Sequence, residues 1–289
     1  MRLSSISLSL VSGLALLGSG CLLLVDPPTL TGTGGSDAPE TGWEDLAAHN
    51  GRVCALDADG AMWCGDGVDM WFEDAGPFVD ISGGAGGICA VELTGALRCG
   101  FNGAEGFELT ETYVEVSGST LAGCGLSDTG VPRCWPEATT STGSFDSVGA
   151  GDYFACGLAS SGKLTCWSVD GVIFDEALED VPGGSYTQVD TYDHVGCAIS
   201  SNTGDISCWG YDFDEILPGP PSASYVDLDI GSGGACAVSD TGAIVCWGEG
   251  TNDPNNPEFF PPTESFVRVS IGWGLTCGIT VDTRLMCWG

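Results

Sequence analysis

Residues 225–248 read YVDLDIGSGGACAVSDTGAIVCWG, and this stretch decides the fold. Tyr225 stands eleven residues before Cys236, Leu228 eight before it and Val238 two after it. A turn ending in Gly242 follows, and Cys246 comes ten residues after Cys236. The same spacing recurs along most of the chain. Fourteen of the 15 cysteines fall into the pairs Cys54/Cys64, Cys89/Cys99, Cys124/Cys134, Cys156/Cys166, Cys197/Cys208, Cys236/Cys246 and Cys277/Cys287. Eleven residues before each first cysteine is an aromatic: Trp43, Phe78, Tyr113, Phe145, Tyr186, Tyr225 and Phe266. First cysteines recur every 32 to 41 residues, the period of solenoids and propellers.

Each unit reads as strand, Gly-containing turn, strand. In the first, Ala55-Leu56 and Met62-Trp63 flank Asp57-Ala58-Asp59-Gly60-Ala61, a hairpin with its glycine in the left-handed position. Gly95, Gly130, Gly162, Gly204 and Gly242 are equivalent, and the last repeat has Thr283 there. If Leu56 pairs with Met62, Cys54 lies directly opposite Cys64, at a separation that suits a disulfide. The spacing thus predicts seven bridges inside repeats, each closing a loop of about ten residues and stabilising by ~2.7 kcal/mol in the chain-entropy model. Structural zinc prefers cysteines two to four residues apart with histidine, whereas only His49 and His194 exist here. One repeat cannot bury its own face, and ring closure shields strand edges.

The strings Cys208-Trp209-Gly210, Cys246-Trp247-Gly248 and Cys287-Trp288-Gly289, with the Cys-Ala/Gly-aliphatic string and the turn glycine, resemble the cysteine-bearing bacterial branch of the regulator-of-chromosome-condensation repeat family. The resemblance covers residues 42–289 and implies an all-β, seven-bladed β-propeller with one disulfide per blade. Short units imply lean blades of about three strands, similar to the propeller of the bacterial β-lactamase inhibitor protein with related repeats. Cys64 and Cys99 depart from the pattern in lacking the following Trp, and Pro132 stands in the third hairpin. The founding member's nucleotide exchange on a nuclear GTPase is not carried over to an acidic, disulfide-bearing chain.

At the N-terminus Met1-Arg2 precedes an apolar run from Leu8 to Leu17, then Gly18-Ser19-Gly20 and Cys21. Residues 1–20 have the layout of a secretory signal peptide. A Cys just after small residues resembles a bacterial lipoprotein processing site, so Cys21, left over from the seven pairs, is expected to carry lipid. Residues 21–41, rich in Pro, Gly, Thr and Ser beyond Val25, are expected to form a flexible tether with a reach of roughly 25 Å. These features together place the protein on a bacterial envelope, at the outer membrane or cell surface.

Forty Asp+Glu against 7 Lys+Arg give a formal net charge of −33, which excludes a nucleic-acid partner by repulsion from phosphate. Hydrophobic residues at 43% are too many for a disordered acidic tail, and fifteen cysteines point to an oxidising compartment. Segments between a second cysteine and the next aromatic vary, and binding residues of repeat proteins concentrate in such inserts. They carry the candidate contacts Trp71, Phe72, Phe174, Phe213, Phe259 and Phe260 among acidic neighbours. Asp57-Ala58-Asp59-Gly60 resembles the opening of a calcium loop without its later ligands, and an Asp-Gly turn explains it without metal. The mature chain holds no Gly-x-Ser-x-Gly elbow, and His194 before Cys197 reads as blade packing. The expectation is a monomeric interaction module for an envelope or extracellular protein, with no catalysis, cofactor or metal. The alternative is an enzyme acting on surface polysaccharide through acidic loop residues, marked by an acid/base pair in the central channel.

Overall fold

Seven antiparallel sheets, one per repeat, stand around a central channel. They are seen in a computed structural model that describes residues 22–23, 42–66, 70–84, 87–101, 107–109, 111–135, 141–169, 178, 180–211, 215–252 and 256–289. The inner strands are Trp43–His49, Phe78–Gly84, Tyr113–Gly118, Ser147–Ala150, Tyr186–Tyr192, Tyr225–Gly231 and Phe266–Gly272. A middle strand carrying the first cysteine and a third strand carrying the second complete each blade. Every blade therefore has three consecutive strands, and among the described residues three have a fourth. Met70–Asp74 extends blade 1, Phe107–Leu109 extends blade 2, and Leu22–Leu23 pairs antiparallel with Cys287–Trp288 of blade 7. The start of the segment expected to be a free tether thus lies against the last blade.

The core is distributed between blades. In the middle strand of blade 1, Val53 and Ala55 join Leu275, Ile279 and Leu285 of blade 7. Alternate residues Cys54 and Leu56 point the other way, to Phe78, Ile81 and Ile88 of blade 2. A strand buried on both faces must be apolar at nearly every position, as the Cys-Ala/Gly-aliphatic string is. The small residue after the first cysteine follows from packing. A Cβ on Gly125 would stand 2.6 Å from Tyr113, and one on Gly278 would stand 2.6 Å from Phe266, the leading aromatic of the same blade.

All seven disulfides form within blades, in the pairing that the spacing predicts. They are Cys54–Cys64, Cys89–Cys99, Cys124–Cys134, Cys156–Cys166, Cys197–Cys208, Cys236–Cys246 and Cys277–Cys287. Each joins residues directly opposite one another on neighbouring strands. The two halves of a bridge differ in depth. First cysteines are fully buried, whereas Cys166, Cys208 and Cys246 are only partly so, because their third strands have no described neighbour outside them. Cys134 also lies on such an edge strand, yet it is buried against Ala122, Phe145 and Val148.

The Trp after the second cysteine crosses to the residue before the first, as in Gly123↔Trp135, Gly196↔Trp209 and Ala235↔Trp247. Blade 1 reverses the sizes, with Val53 opposite Gly65. The missing Trp after Cys64 is therefore a volume exchange across one strand pair. Pro132 is the first residue of its strand, a position that tolerates a missing N–H.

One hydrogen bond repeats around the whole ring. The leading aromatic N–H donates to the carbonyl of the turn residue in the preceding blade: Phe78 to Gly60, Tyr113 to Gly95, Phe145 to Gly130, Tyr186 to Gly162, Tyr225 to Gly204 and Phe266 to Gly242, at 2.8–3.0 Å. The seventh runs from Trp43 to Thr283 at 3.0 Å and closes the ring between blades 1 and 7. The first inner strand therefore belongs to blade 1. Every turn glycine has positive φ, and Thr283 adopts the same region at φ 62°. At that seam the glycine has moved to the partner side, because a Cβ on Gly42 would collide with the Thr283 side chain.

Gly60 tests this arrangement, since its φ is +77° and an added Cβ would stand 2.6 Å from the Phe78 carbonyl oxygen. Gly60→Ala is expected to cost about 2 kcal/mol or more in denaturant unfolding, through backbone strain plus displacement of blade 2. A loss under about 0.5 kcal/mol, the range of neutral surface changes, would contradict the contact.

Candidate functional site: the central channel

The seven inner strands line a channel of about 570 Å³. Six of them carry a register shift just after the leading aromatic, as between Trp43/Asp45 and Tyr225/Asp227. Such a bulge re-aims the next side chain. The residue two after the aromatic forms one ring: Asp45, Asp80, Glu115, Ser147, Gln188, Asp227 and Arg268. The residue four after it forms a second: Ala47, Ser82, Ser117, Gly149, Asp190, Asp229 and Ser270.

Both rings tie neighbouring blades together. In the first, Asp80 accepts the Val116 N–H at 2.6 Å, Glu115 accepts Val148 at 2.9 Å, and Asp227 accepts Val269 at 2.8 Å. Gln188 Nε2 instead donates to the Leu228 carbonyl at 2.8 Å. Across the seam Arg268 Nε stands 3.8 Å from Asp45. In the second ring, Ser82 accepts Gly118, Ser117 accepts Ala150, Asp190 accepts Ile230, Asp229 accepts Ile271 and Ser270 accepts Ala48. Ala47 and Gly149 have no side-chain oxygen to offer. At Gly149 an added Cβ would lie 3.2 Å from the Asp190 Cα, so the backbones of blades 4 and 5 are close there.

Carboxyl groups crowded into a narrow channel lose water, and burial is the first cause of every shift among them. Asp190 is pushed up to about 6 and Asp227 to about 7, each against the backbone N–H that lowers it. Asp229 rises well above the usual range through burial and the charge of Asp190, and Asp80 through burial and the charge of Asp45. Asp45 and Glu115 rise for the same first reason, with Arg268 opposing the rise at Asp45. Asp190 and Asp229 are neighbours in the second ring, and the charge of Asp190 follows burial among the causes that raise Asp229. Among the described residues no group of three His, Cys, Asp or Glu could hold a metal ion.

The two mouths differ. At one end the bulged residues present Val79 and Val226, each about half exposed, with Arg268 just inside. At the other end the inner hairpins present His49, Tyr192, Ser232 and Trp273, the last 69% exposed. Tyr192 Oη lies 3.1 Å from Thr120 Oγ1, bridging blades 5 and 3, and the Leu121 N–H donates to Asp152 at 2.6 Å. His49 is held below its usual range by burial, opposed by Asp152.

The residues singled out from sequence are scattered. Cys21, Phe174 and Phe213 lie outside the described residues. Trp71 and Phe72 lie in the outer strand of blade 1, and Phe72 is 46% exposed with its ring edge-on to Trp63. Phe260 is 52% exposed, but Phe259 is not available as a contact. It is 5% exposed, in a 3₁₀ turn whose Glu258 carbonyl accepts the Trp288 indole N–H, and its ring covers Gly234. His194 packs between blades, stacked on Tyr153 with centroids 4.0 Å apart. Asp57 is consumed by its turn, accepting the N–H groups of Asp59 and Ala61 and the Trp63 indole. The channel rings were missed, although their signal is periodic: polar residues recur nine and seven positions before the first cysteine.

No family model matches the chain, and no curated protein matches it. Solved structures do. The ectodomain of the Physcomitrella patens receptor kinase CR4 superposes with a TM-score of 0.67 at 21% identity, over 86% of this chain and 74% of that one. The CRINKLY WD40 ectodomain of the Arabidopsis thaliana receptor kinase ACR4 gives 0.64 at 20%, over 86% and 95%. Prp20p from Saccharomyces cerevisiae, described with its binding properties to Gsp1p and histones, gives 0.63 at 11%, over 86% and 82%. At these identities the likeness shows the propeller fold alone.

The channel carboxyls predict an acid-stable ring. Their folded-state pKa values lie above the unfolded ones, so the folded chain binds more protons between about pH 4 and 7. That stability is fully present at low pH and lost as pH rises through about 7, with His49, held neutral, opposing as a single group. Thermal unfolding at fixed ionic strength is expected about 5 °C higher at pH 5 than at pH 8. A midpoint that rises toward pH 8 would contradict the assignment.

Proposed function

We propose that the protein is a non-catalytic interaction module of the bacterial envelope, held by lipid on Cys21 and binding another envelope or extracellular protein through a face of the propeller. The observation that carries this reading is the employment of the channel carboxylates. Asp80, Glu115, Asp190, Asp227 and Asp229 each accept a backbone N–H from the next blade, so their oxygens serve the ring. The accessible chemistry is instead aromatic and aliphatic, at Trp273, Leu121, Phe72 and Phe260. Exposed aromatics are the usual anchors of protein contacts.

Seven disulfides support an exported protein. Among the described residues no helix is long and apolar enough to cross a membrane, which fits anchoring by lipid at Cys21. The second reading, an enzyme acting on surface polysaccharide, draws support from the neighbouring Asp190 and Asp229 carboxyls, both raised chiefly by burial, the kind of pair general acid–base chemistry uses. It then requires both acids to leave their backbone donors.

Crosslinking the chain in envelope extracts and identifying what it holds tests the module. Capture of a defined protein, with no turnover of surface polysaccharide by the same preparation, is expected. Polysaccharide cleavage abolished by Asp229→Asn would select the enzyme. In parallel, Cys21→Ser is expected to move the chain from the membrane to the soluble fraction, and unchanged retention would remove the lipid anchor from the account.

A further inference from the structure

We propose that blade 7 carries a membrane-contact corner, at which Trp273 and Phe260 enter the headgroup layer of a zwitterionic bilayer beside the lipid on Cys21. The proposal rests on the lipid-anchored reading above and gives it an orientation. Leu22–Leu23 is the outer strand of blade 7, antiparallel to Leu285–Trp288, with Leu22 opposite Trp288. The chain therefore enters at the Trp288 end of the blade, and the residue before Leu22 is Cys21. Consecutive Cα atoms stand about 3.8 Å apart, so a lipid on Cys21 begins at that corner and not at the end of a free tether. Residues 24–41 suffice for the return to Gly42, since a coil of that length reaches roughly 20–25 Å and a four-stranded blade spans roughly 15 Å.

Two exposed aromatics share the corner. Gly289 follows Trp288, and a Cβ added to it would meet the Gly274 carbonyl, so the Gly272-Trp273-Gly274 hairpin adjoins this end. Trp273 is 69% exposed there. The Trp288 indole also donates to the Glu258 carbonyl at 2.8 Å, two residues before Phe260, which is 52% exposed. Phe259 packs inward over Gly234 and fixes the turn that presents Phe260. Tryptophan is enriched at the membrane–water interface, and a second contact reinforces a lipid anchor. Charge selects the bilayer. The inner hairpin tips of blades 6, 7 and 1, at Ser232-Gly233, Trp273-Gly274 and Asn50-Gly51, hold no carboxylate, whereas blades 4 and 5 place Asp152 and Asp193 there. In a chain of net charge −33 this arc lets a bilayer approach, while Glu249 and Glu258 in the insert before blade 7 disfavour anionic headgroups. A second copy would bring the same charge and is repelled. The opposite mouth, with Val79 and Val226, is left for the protein partner.

Residues 21–289 hold every described strand, and with fourteen of 15 cysteines in disulfides Cys21 is the remaining thiol. Coupling that thiol to a maleimide phospholipid in phosphatidylcholine bilayer discs supplies the anchor chemically, independently of natural processing. A nitroxide on a fraction of the headgroups broadens amide resonances steeply with proximity. The signals of Phe260, Gly272, Gly274 and Trp288, and of the Trp273 indole N–H, are expected to be lost. Those of Val79 and Val226 at the opposite mouth, and of Cys134 and Cys166 across the ring, are expected to persist.

Leu22→Gly with Leu23→Pro releases the outer strand and is expected to replace this contrast by weak, even broadening over all seven blades. Trp273→Ser with Phe260→Ser alters exposed side chains alone. It is expected to restore the Gly272 and Gly274 signals, while Trp288 stays broadened by the adjacent lipid. Even broadening of the unaltered chain, or loss centred on Val79 or Cys134, overturns the corner. Gly272 and Gly274 signals that stay lost without the two aromatics overturn it as well. So does loss of the Trp273 indole signal when the uncoupled chain is concentrated without bilayers, which makes the occupant a second copy. Because the lipid is attached chemically, these outcomes judge the corner alone, and the Cys21→Ser fractionation judges the natural anchor.

Discussion

Each blade donates the N–H of its leading aromatic to the tip of the preceding hairpin, and the rest of the ring depends on that bond. It requires the turn residue to direct its carbonyl outward from a left-handed conformation, which explains six glycines and leaves Thr283 as the strained exception. It brings the aromatic under the small residue that follows the cysteine. It also sets the angle at which one blade meets the next, so that the seventh tip meets Trp43. The two channel rings repeat the same linkage deeper in, from side-chain oxygens to backbone N–H groups, and Ser270 closes the inner one on Ala48.

The disulfides serve a different purpose. Blades of three short strands offer little contact within a sheet, because their apolar residues face neighbouring blades. A bridge between directly opposite cysteines holds each hairpin in register independently of those neighbours. It also fills the inter-blade core, since Cys54, Cys89, Cys124, Cys156, Cys197, Cys236 and Cys277 are fully buried. Where the third strand is an edge, as at Cys134 and Cys166, the bridge ties that edge to the buried middle strand. An exported propeller can thereby remain lean. The acids in its channel are tolerated because each finds a backbone donor and because burial lets some keep a proton at neutral pH.

The fold was legible because it is a repeat: three apolar offsets and a cysteine pair seen seven times leave few architectures. Blade count, hairpin register and the disulfides followed from that spacing. The fourth strands were not legible, since Met70–Asp74 and Phe107–Leu109 lie in inserts that share no pattern between repeats. The site was harder for a related reason. Attention to loop aromatics favoured Phe259, which a 3₁₀ turn folds inward over Gly234, and passed over Trp273, whose two flanking glycines leave it exposed. The polar offsets of the inner strand were present throughout, but Asp, Glu, Ser, Gln and Arg exchange there. Their common role, reaching the next blade's backbone, becomes visible only once the strands are placed around one axis.

Closure of the ring through a seventh copy of the same bond is the claim from which the channel, its two mouths and their chemistry follow. Amide hydrogen exchange at single-residue resolution measures it directly. The Trp43 and Ala48 amides, bonded to Thr283 and Ser270 across the seam, are predicted to be as protected as their counterparts Tyr113 and Ile230. Rapid exchange at Trp43 and Ala48, with the other inter-blade amides protected, would show an open array of seven blades instead of a ring.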